Sequence, residues 1–570
     1  MTNTKGALHS LLHPEGLLHP GWQSGRDRAQ ELCSTETAEV LGIDALARHI
    51  AGEHMREQEI VSLIAHAPQN PDTIRYRQEI LFDLYRIPEL CERLEAVIPR
   101  IGELVLFAEA RSDARSPLQE ALWRLGELEL YVESVELLLS ALDEASAAIE
   151  SRGLLELRET LKRRVAGEQF QAMRRELPKM RAGIKKHRSV TIGINLDGRL
   201  RPVEATILSI NEREFREQGL VERLLPGESG EFASPTPMHR SPVPPQYQGQ
   251  VNPAFPLSPL FENLNSLLGT VLRPIAKGLK RYTAVNAGFL GNLYRELGLF
   301  SGVAHLMRKL REQGLPICRP EILEADERRL ELDGFYNIHL ALRRFGKSAE
   351  HGSEAAGIVV NDVRMDEEAR LFVLTGPNQG GKTTFVQGLG IVQALAQAGL
   401  FAPAERAVLS PADCVVTHFP LAEEGQLDTG RFAREAGELS AMFDLVGPRS
   451  LVLLNESLSS TNPSEALVIA RDVLQGLCYA GARGVFTTHL HELGTELESL
   501  NEELASENGL RSRAASLIAE VKEEEEGHTR TFRIRRGPPV GKSYARDIAR
   551  RYGISREAIM SRVNKRMEDA

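Results

Sequence analysis

Several common features are missing from this chain, and each absence narrows its class. Among 570 residues there are only five cysteines, Cys33, Cys91, Cys318, Cys414 and Cys478. They stand far apart with no CxxC pair, so neither structural zinc nor a disulfide framework is expected, and a reducing compartment is. There is no apolar run of roughly 18 residues and no basic-then-apolar secretory start. A membrane partner is therefore not expected, and a cytoplasmic location is. An excess of positive charge is missing too: 69 Lys and Arg face 79 Asp and Glu, a net charge of -10. No uniform basic surface advertises nucleic acid, although a local basic patch is compatible with this balance.

What is present is concentrated in one short run, Gly376-Pro377-Asn378-Gln379-Gly380-Gly381-Lys382-Thr383-Thr384. It fills every fixed position of the phosphate-loop pattern G-x-x-x-x-G-K-[ST]. The chain has 47 glycines, so two glycines at this spacing would mean little alone. The flanks add the missing context. Leu371-Phe372-Val373-Leu374 reads as a short buried strand, and Phe385 to Leu400 reads as a helix with no proline before Pro403. A strand, a glycine turn and a helix N-terminus together cradle phosphate: the backbone N–H groups turn inward and the helix end favours negative charge. Lys382 then reaches the β- and γ-phosphates, and the Thr383 hydroxyl holds Mg²⁺.

The chain is long enough for about three or four domains. Residues 1–50 read as a short N-terminal extension, in which His9, His13 and His19 are too loosely spaced to argue for a metal site. Residues 51–333 read as a mainly helical core and lever region, with breaks at Pro68, Pro71, Pro88, Pro99 and Pro117. A small β insertion is expected near 190–210 and a proline-rich loop at 235–259. Helical character is expected again from Leu260 to about Leu342. The basic cluster Arg174, Arg175, Lys179, Arg181, Lys185, Lys186 and Arg188 reads either as a solvated helix face or as a phosphate contact, with Arg181, Lys185 and Lys186 as candidate DNA contacts. An α/β nucleotide-binding domain is expected over 334–535 and a helical tail over 536–570.

Two further strand ends complete the site. Leu451-Val452-Leu453-Leu454 runs into Asn455-Glu456, where an acidic side chain can orient the metal or the attacking water. Glu456 is the candidate for polarising water. Asparagine at 455 keeps an oxygen acceptor and loses the charge of the aspartate expected there, so hydrolysis is expected to be slow, with a degenerate nucleotide switch as the alternative. Asn455 and Thr383 are the candidate metal ligands. Val485-Phe486-Thr487-Thr488 leads to His489, a candidate sensor of the γ-phosphate or of water.

With these pieces placed, Thr375 to Thr384 resembles the T-G-P-N-x-G-G-K-[ST]-T loop of the DNA mismatch-repair MutS family of ABC-type ATPases. Leu451 to Asn462, LVLLNESLSSTN, resembles that family's strand-B acid pair and D-loop, and Thr487-Thr488-His489 its threonine-histidine switch. Thr429 to Glu435 is similar to its signature loop, Ser543-Tyr544-Ala545 to its C-terminal dimerisation element, and Thr73 to Glu79 to the start of its helical core. The resemblance implies a P-loop ABC-type fold, ATP and Mg²⁺ as cofactors, and a homodimer with ATP at composite interfaces. It also implies double-stranded or branched DNA as a partner. About 50 residues precede the core, the Phe-x-Glu wedge is not visible and no nuclease-like tail follows, so a member without the mismatch-reading and nuclease-like domains is expected. A nucleotide-gated scaffold for a protein partner is the other reading.

Overall fold

The computed structural model describes residues 10–12, 31–52, 56–112, 117–186, 188–199, 202–217, 233–234, 273–282, 288–343, 345, 357–419, 430–507, 509–524, 527–539, 554 and 556–568. His9, His13, His19, the segment 235–259, Thr429, Ser543-Tyr544-Ala545 and the side chain of Lys185 lie outside the described residues. The chain divides into two compact units, one of residues 96–144 and 157–294, the other of 1–95, 145–156 and 295–570. It passes between them inside the helices Pro88–Ser112, Arg152–Ala166 and Gly288–Glu312, and at the end of helix Pro117–Glu144.

Among its described residues the first unit is mainly helical. Helix Pro117–Glu144 buries Leu125, Leu128, Val135 and Leu138, and helix Glu168–Lys185 buries Phe170, Met173 and Leu177. These spacings put each set on one helical face. The same unit buries a pair of opposite charges, Arg124 and Glu127, at 2.7 Å, one turn apart. Burying such a pair costs desolvation that only good geometry offsets. After these helices come β1 (Ser189–Leu196) and β2 (Pro202–Asn211), an antiparallel hairpin, and the two-residue parallel pair β3 (Arg216–Glu217) and β4 (Ala233–Ser234). Three arginines of the basic cluster are spent inside the unit. Arg174 pairs with Glu136 at 3.0 Å, Arg181 grips both oxygens of Glu129, and Arg188 pairs with Glu214 at 3.3 Å. Arg175, Lys179 and Lys186 are exposed.

Two sheets organise the second unit. The smaller has the order β5-β9-β6-β7, from β5 (Glu321–Ile322), β6 (Leu330–Phe335), β7 (Asn361–Met365) and β9 (Arg406–Leu409). This corrects the helical reading up to Leu342: Leu330 and Leu332 alternate with Glu331 and Asp333 at the two-residue period of a strand, and β6 pairs antiparallel with both β7 and β9. The larger sheet has the order β10-β11-β12-β8-β13-β14. Its strands are β8 (Leu371–Thr375), β10 (Val415–His418), β11 (Leu451–Asn455), β12 (Arg483–Thr487), β13 (Ala514–Glu524) and β14 (Gly527–Arg536). All neighbours are parallel except β13 and β14. β8, β11 and β12 are buried along their whole length, as parallel strands covered on both faces require. Helix Lys382–Gln397 is buried nearly throughout, and helices Pro463–Ala480 and Leu497–Ser506 contribute Ala470, Leu474, Leu477, Leu500 and Leu504 to the core around Val373, Leu454 and Phe486.

Prolines act by position. Pro71, Pro88 and Pro117 open their helices, where a missing N–H costs nothing. Pro99 does not break its segment as the sequence suggested; the helix Pro88–Ser112 runs through it. The N-terminal residues are also more embedded than a separate extension would be. Thr35–Leu41 and Ile43–Ile50 form helices, and the chain between them turns at Gly42, whose φ of 68° is left-handed and where a Cβ would meet His339 at 2.7 Å. Just before them the Leu32 carbonyl accepts from Val415 N–H at the margin of the large sheet. Ser10, Leu11 and Leu12 are pinned by buried polar groups: Glu296 accepts from Ser10 Oγ and from Leu11 N–H at 2.7 Å, and Arg77 Nε donates to Leu12 O at 2.9 Å. The other end of the Arg77 guanidinium donates to Ala398 O at 3.2 Å, just past helix Lys382–Gln397. No helix among the described residues is long and apolar enough to cross a membrane.

Candidate active site

The site forms where β8, β11 and β12 end on the same side of the parallel sheet. β8 runs into a turn whose geometry needs glycine. Gly376 has φ 148°, and a Cβ there would lie 2.6 Å from the Ala519 Cβ on neighbouring β13. Gly381, at φ 88°, stands at the N-cap of helix Lys382–Gln397, so the first N–H groups of that helix open into the turn. Between the glycines, Gln379 adopts a left-handed φ of 61°, and its side-chain oxygen accepts from Arg530 Nη1 at 2.7 Å.

Lys382 lies back across this turn. Its Nζ donates to Gly376 O at 3.1 Å and Pro377 O at 3.2 Å, and stands 3.6 Å from Glu456 Oε1. Burial pushes the Lys382 pKa below its ordinary value, and the Glu456 carboxylate opposes that shift. The ammonium is thus held at the turn by weak carbonyl partners and one carboxylate, which phosphate oxygens can replace.

β11 and β12 lie side by side, with Asn455 opposite Thr487. Asn455 Oδ1 accepts from two hydroxyls, Thr383 Oγ1 and Thr487 Oγ1, each at 3.1 Å. Thr487 has one proton to give, and gives it to Asn455; its oxygen then accepts the Glu456 N–H at 3.0 Å. Glu456 has φ 54°, a strained conformation for a side chain of this size, held by that bond and by a second one from the same N–H to Thr487 O at 3.0 Å. The turn aims the Glu456 carboxylate at His489 Nε2, 3.1 Å away. The hydrogen bond from His489 holds the Glu456 pKa below the usual carboxylate value; burial opposes this and Lys382 adds to it. Glu456 is therefore an ionised acceptor, as a group that orients water must be.

A cavity of about 330 Å³ opens beside the turn. The run Gln379 to Thr384 and Glu456 line one part of it; the apolar Phe335, Leu340, Val359 and Phe532 and the polar Asn337 and Asn361 line the rest. A partly apolar slot beside a glycine turn and a helix N-terminus has the shape and polarity to suit a planar base attached to charged phosphates. For magnesium, the fit rests on the donor set. Thr383 Oγ1 and Asn455 Oδ1 are neutral oxygens that face each other, which suits a hard cation that keeps phosphate oxygens and water as its other ligands. Among the described residues no group of His, Cys, Asp and Glu can hold a metal by itself.

The structure thus brings Thr383, Lys382, Asn455, Glu456 and His489 together with the run from Gly376 to Thr384. Arg181 and Lys186 belong to the other compact unit. Sequence reasoning missed Phe532, which has a left-handed φ of 58° where β13 and β14 fall out of register, and its neighbour Arg530. Nothing in the alternating run from Thr529 to Ile534 marks that bulge.

Comparison with known proteins bears on the family. Residues 372–568 match the family model described as MutS domain V, and residues 69–313 the one described as MutS2 N-terminal domain. A protein named Endonuclease MutS2, from Thermus thermophilus, is 31% identical over 201 residues, which cover 35% of this chain and 25% of that protein. A DNA mismatch repair protein MutS from Thermotoga sp. is 34% identical over 172 residues, 30% of this chain and 20% of its own. A DNA mismatch repair protein MutS 2 from Halobacterium salinarum is 35% identical over 150 residues, 26% of this chain and 17% of its own. The matched stretch is a quarter or less of each of these relatives. With two family models matching in chain order, and with the strand ends assembled as described, the chain belongs to the MutS family and carries that family's ATPase domain.

Proposed function

We propose that this protein is a slow, magnesium-dependent ATPase of the P-loop ABC type, whose nucleotide state moves helical arms that bind DNA. The observation that carries the reading is the meeting of Thr383 and Thr487 on Asn455, with Glu456 placed between Lys382 and His489.

In this reading the turn N–H groups and the end of helix Lys382–Gln397 hold the phosphates, and Lys382 leaves its carbonyl partners for them. The apolar slot takes the base. Thr383 and Asn455 would hold magnesium, which would supply positive charge to offset that of the phosphates. Glu456 orients the attacking water, and His489 keeps Glu456 ionised and aimed. Asn455 would offer the metal a neutral oxygen only, without the charge an aspartate would add to order it, and on this ground turnover is slow. A γ-phosphate that bridges two copies of the chain, and is lost on hydrolysis, converts chemistry into motion.

DNA enters from the names of the relatives and from the exposed Arg175, Lys179 and Lys186, which offer backbone contacts without sequence reading. One observation favours the second reading, a nucleotide-gated scaffold for a protein partner. Arg174, Arg181 and Arg188 are each paired with a glutamate, which cuts the charge available to phosphate. The test is ATP turnover and sedimentation of the full chain, with and without duplex, branched and single-stranded DNA. Nucleotide-dependent dimers and stimulation by one DNA form are expected. Turnover and self-association that ignore every DNA form at low salt would leave the scaffold.

A further inference from the structure

His418, the last residue of β10, makes contacts that the site above does not use. Its imidazole is 8% exposed, and both ring nitrogens are engaged. Nδ1 lies 2.6 Å from Ser457 Oγ, and Nε2 lies 3.2 Å from Glu438 Oε2. Ser457 is the residue after Glu456. Glu438 belongs to helix Arg431–Phe443, whose Arg434 Nε donates to its other oxygen at 2.8 Å. The same helix holds the turn a second time, because Ser460 Oγ donates to the carboxylate of Glu435, which is 5% exposed. Glu435 and Glu438 are three residues apart, so they share one helical face.

The turn they grip is strained. Glu456 and Leu458, on either side of Ser457, have left-handed φ values of 54° and 67°. Such a conformation is strained for a side chain of this size and persists only where its surroundings over-determine it. Leu458 is fixed by burial in the core. The hydroxyls of Ser457 and Ser460 are fixed by His418 and Glu435. Without these contacts the turn would relax toward ordinary backbone angles, and the aim of Glu456 would go with it.

We infer that His418 is a positioning residue for Glu456: its contact with Ser457 pins the strained turn that aims the hydrolytic carboxylate, and its second contact, with Glu438, joins that turn to helix Arg431–Phe443. This rests on the ATPase reading for its consequence, though not for its geometry. The helix starts directly after residue 430, within the stretch Thr429 to Glu435 that resembles the family's signature loop. A contact made at that helix start therefore has a short path, through Glu438, His418 and Ser457, to Glu456.

The test uses the full chain in three variants, His418→Ala, Ser457→Ala and His418→Asn. The asparagine amide stands near the place of Nδ1 and keeps a partner for Ser457. Expected for both alanine variants is a loss of kcat of about tenfold, with ATP affinity within about twofold of wild type, as for a misaimed group. The double alanine variant falls no further than either single one, because both remove the same link. His418→Asn recovers most of the turnover. Amide hydrogen exchange over residues 456–460 rises in His418→Ala and not in His418→Asn. Unchanged kcat in His418→Ala, or no recovery with asparagine, overturns the inference. So does unchanged exchange, which is read without any turnover. Absence of ATP binding and hydrolysis in the wild type would instead overturn the ATPase reading, and the exchange comparison would still judge the brace.

Discussion

Thr383 Oγ1 and Thr487 Oγ1 converge on one atom, Asn455 Oδ1, each at 3.1 Å. Three segments distant in sequence are thereby registered on a single amide oxygen. An aspartate would make the same two bonds and add a charge. Asn455→Asp should accordingly keep the geometry and raise turnover most where magnesium is scarce. A magnesium titration of ATP hydrolysis should show half-maximal rate at a concentration lower by about tenfold. An unchanged titration curve would remove the missing charge as the brake.

Lys382 holds two loop carbonyls and faces Glu456. Lys382→Ala removes the cation that the phosphates displace those carbonyls to reach. Calorimetry should show ATP affinity lower by about a hundredfold or more, since a charge-assisted contact in a partly dry site is lost. Unaltered affinity would show that the cradle works without it.

Glu456→Gln keeps the shape of the side chain and loses its charge. ATP should remain bound while turnover falls by roughly a hundredfold or more, the range for removing a general base. The Glu456 pKa is lowered by His489, so its ionised form is favoured down to acid pH. The stability it gives is present above its unfolded pKa and is lost as pH falls through the lower folded one. Wild type and Glu456→Gln should then differ in Tm at neutral pH and converge in acid, as thermal scans across pH would show.

Glu296 behaves in the opposite sense. Burial pushes its pKa up to about 7, against hydrogen bonds from Ser10 and Leu11 and the charge of Arg77. An acid with a raised folded pKa binds more protons when folded, so stability falls as pH rises from its unfolded value toward about 7. Glu296→Gln should flatten that slope in Tm measured from about pH 5 to about pH 8. A wild-type slope of the other sign would show that Glu296 is ionised throughout.

The basic cluster can be divided by experiment. Replacing Arg175, Lys179 and Lys186 together by alanine should weaken DNA binding and reduce the salt slope of log K by about 2–3. Arg181→Ala should act mainly on Tm, because its guanidinium is committed to Glu129. A salt slope that does not move in the triple variant would argue for a protein partner instead.

The phosphate-loop run was legible because its chemistry is written in consecutive residues: Gly376, Gly381 and Lys382 fix the turn, the cap and the charge locally. The ends of β11 and β12 were legible because a buried parallel strand stands out where it meets polar residues. β5 and β6 were not. They are short, lie within a helix-rich stretch, and become strands through pairing with β9 and β7. The helices from Thr35 to Ile50 are likewise too short to announce themselves, and depend on neighbours such as His339 and Gly390, where an added Cβ would meet Leu41 at 2.5 Å. The contact of His418 with Ser457 was hidden because it arises from the side-by-side register of β10 and β11, across 39 positions of sequence.

β10 is the outermost strand of the large sheet on its side, and its outer flank meets the backbone at Leu32 and Cys33. A shortened fragment that begins downstream of this point would leave the Val415 amide uncovered on an apolar margin. Such an open margin is a template for another chain's backbone. Excised nucleotide-binding fragments should therefore precipitate or form irregular multimers, for reasons unrelated to any natural pairing of the whole protein.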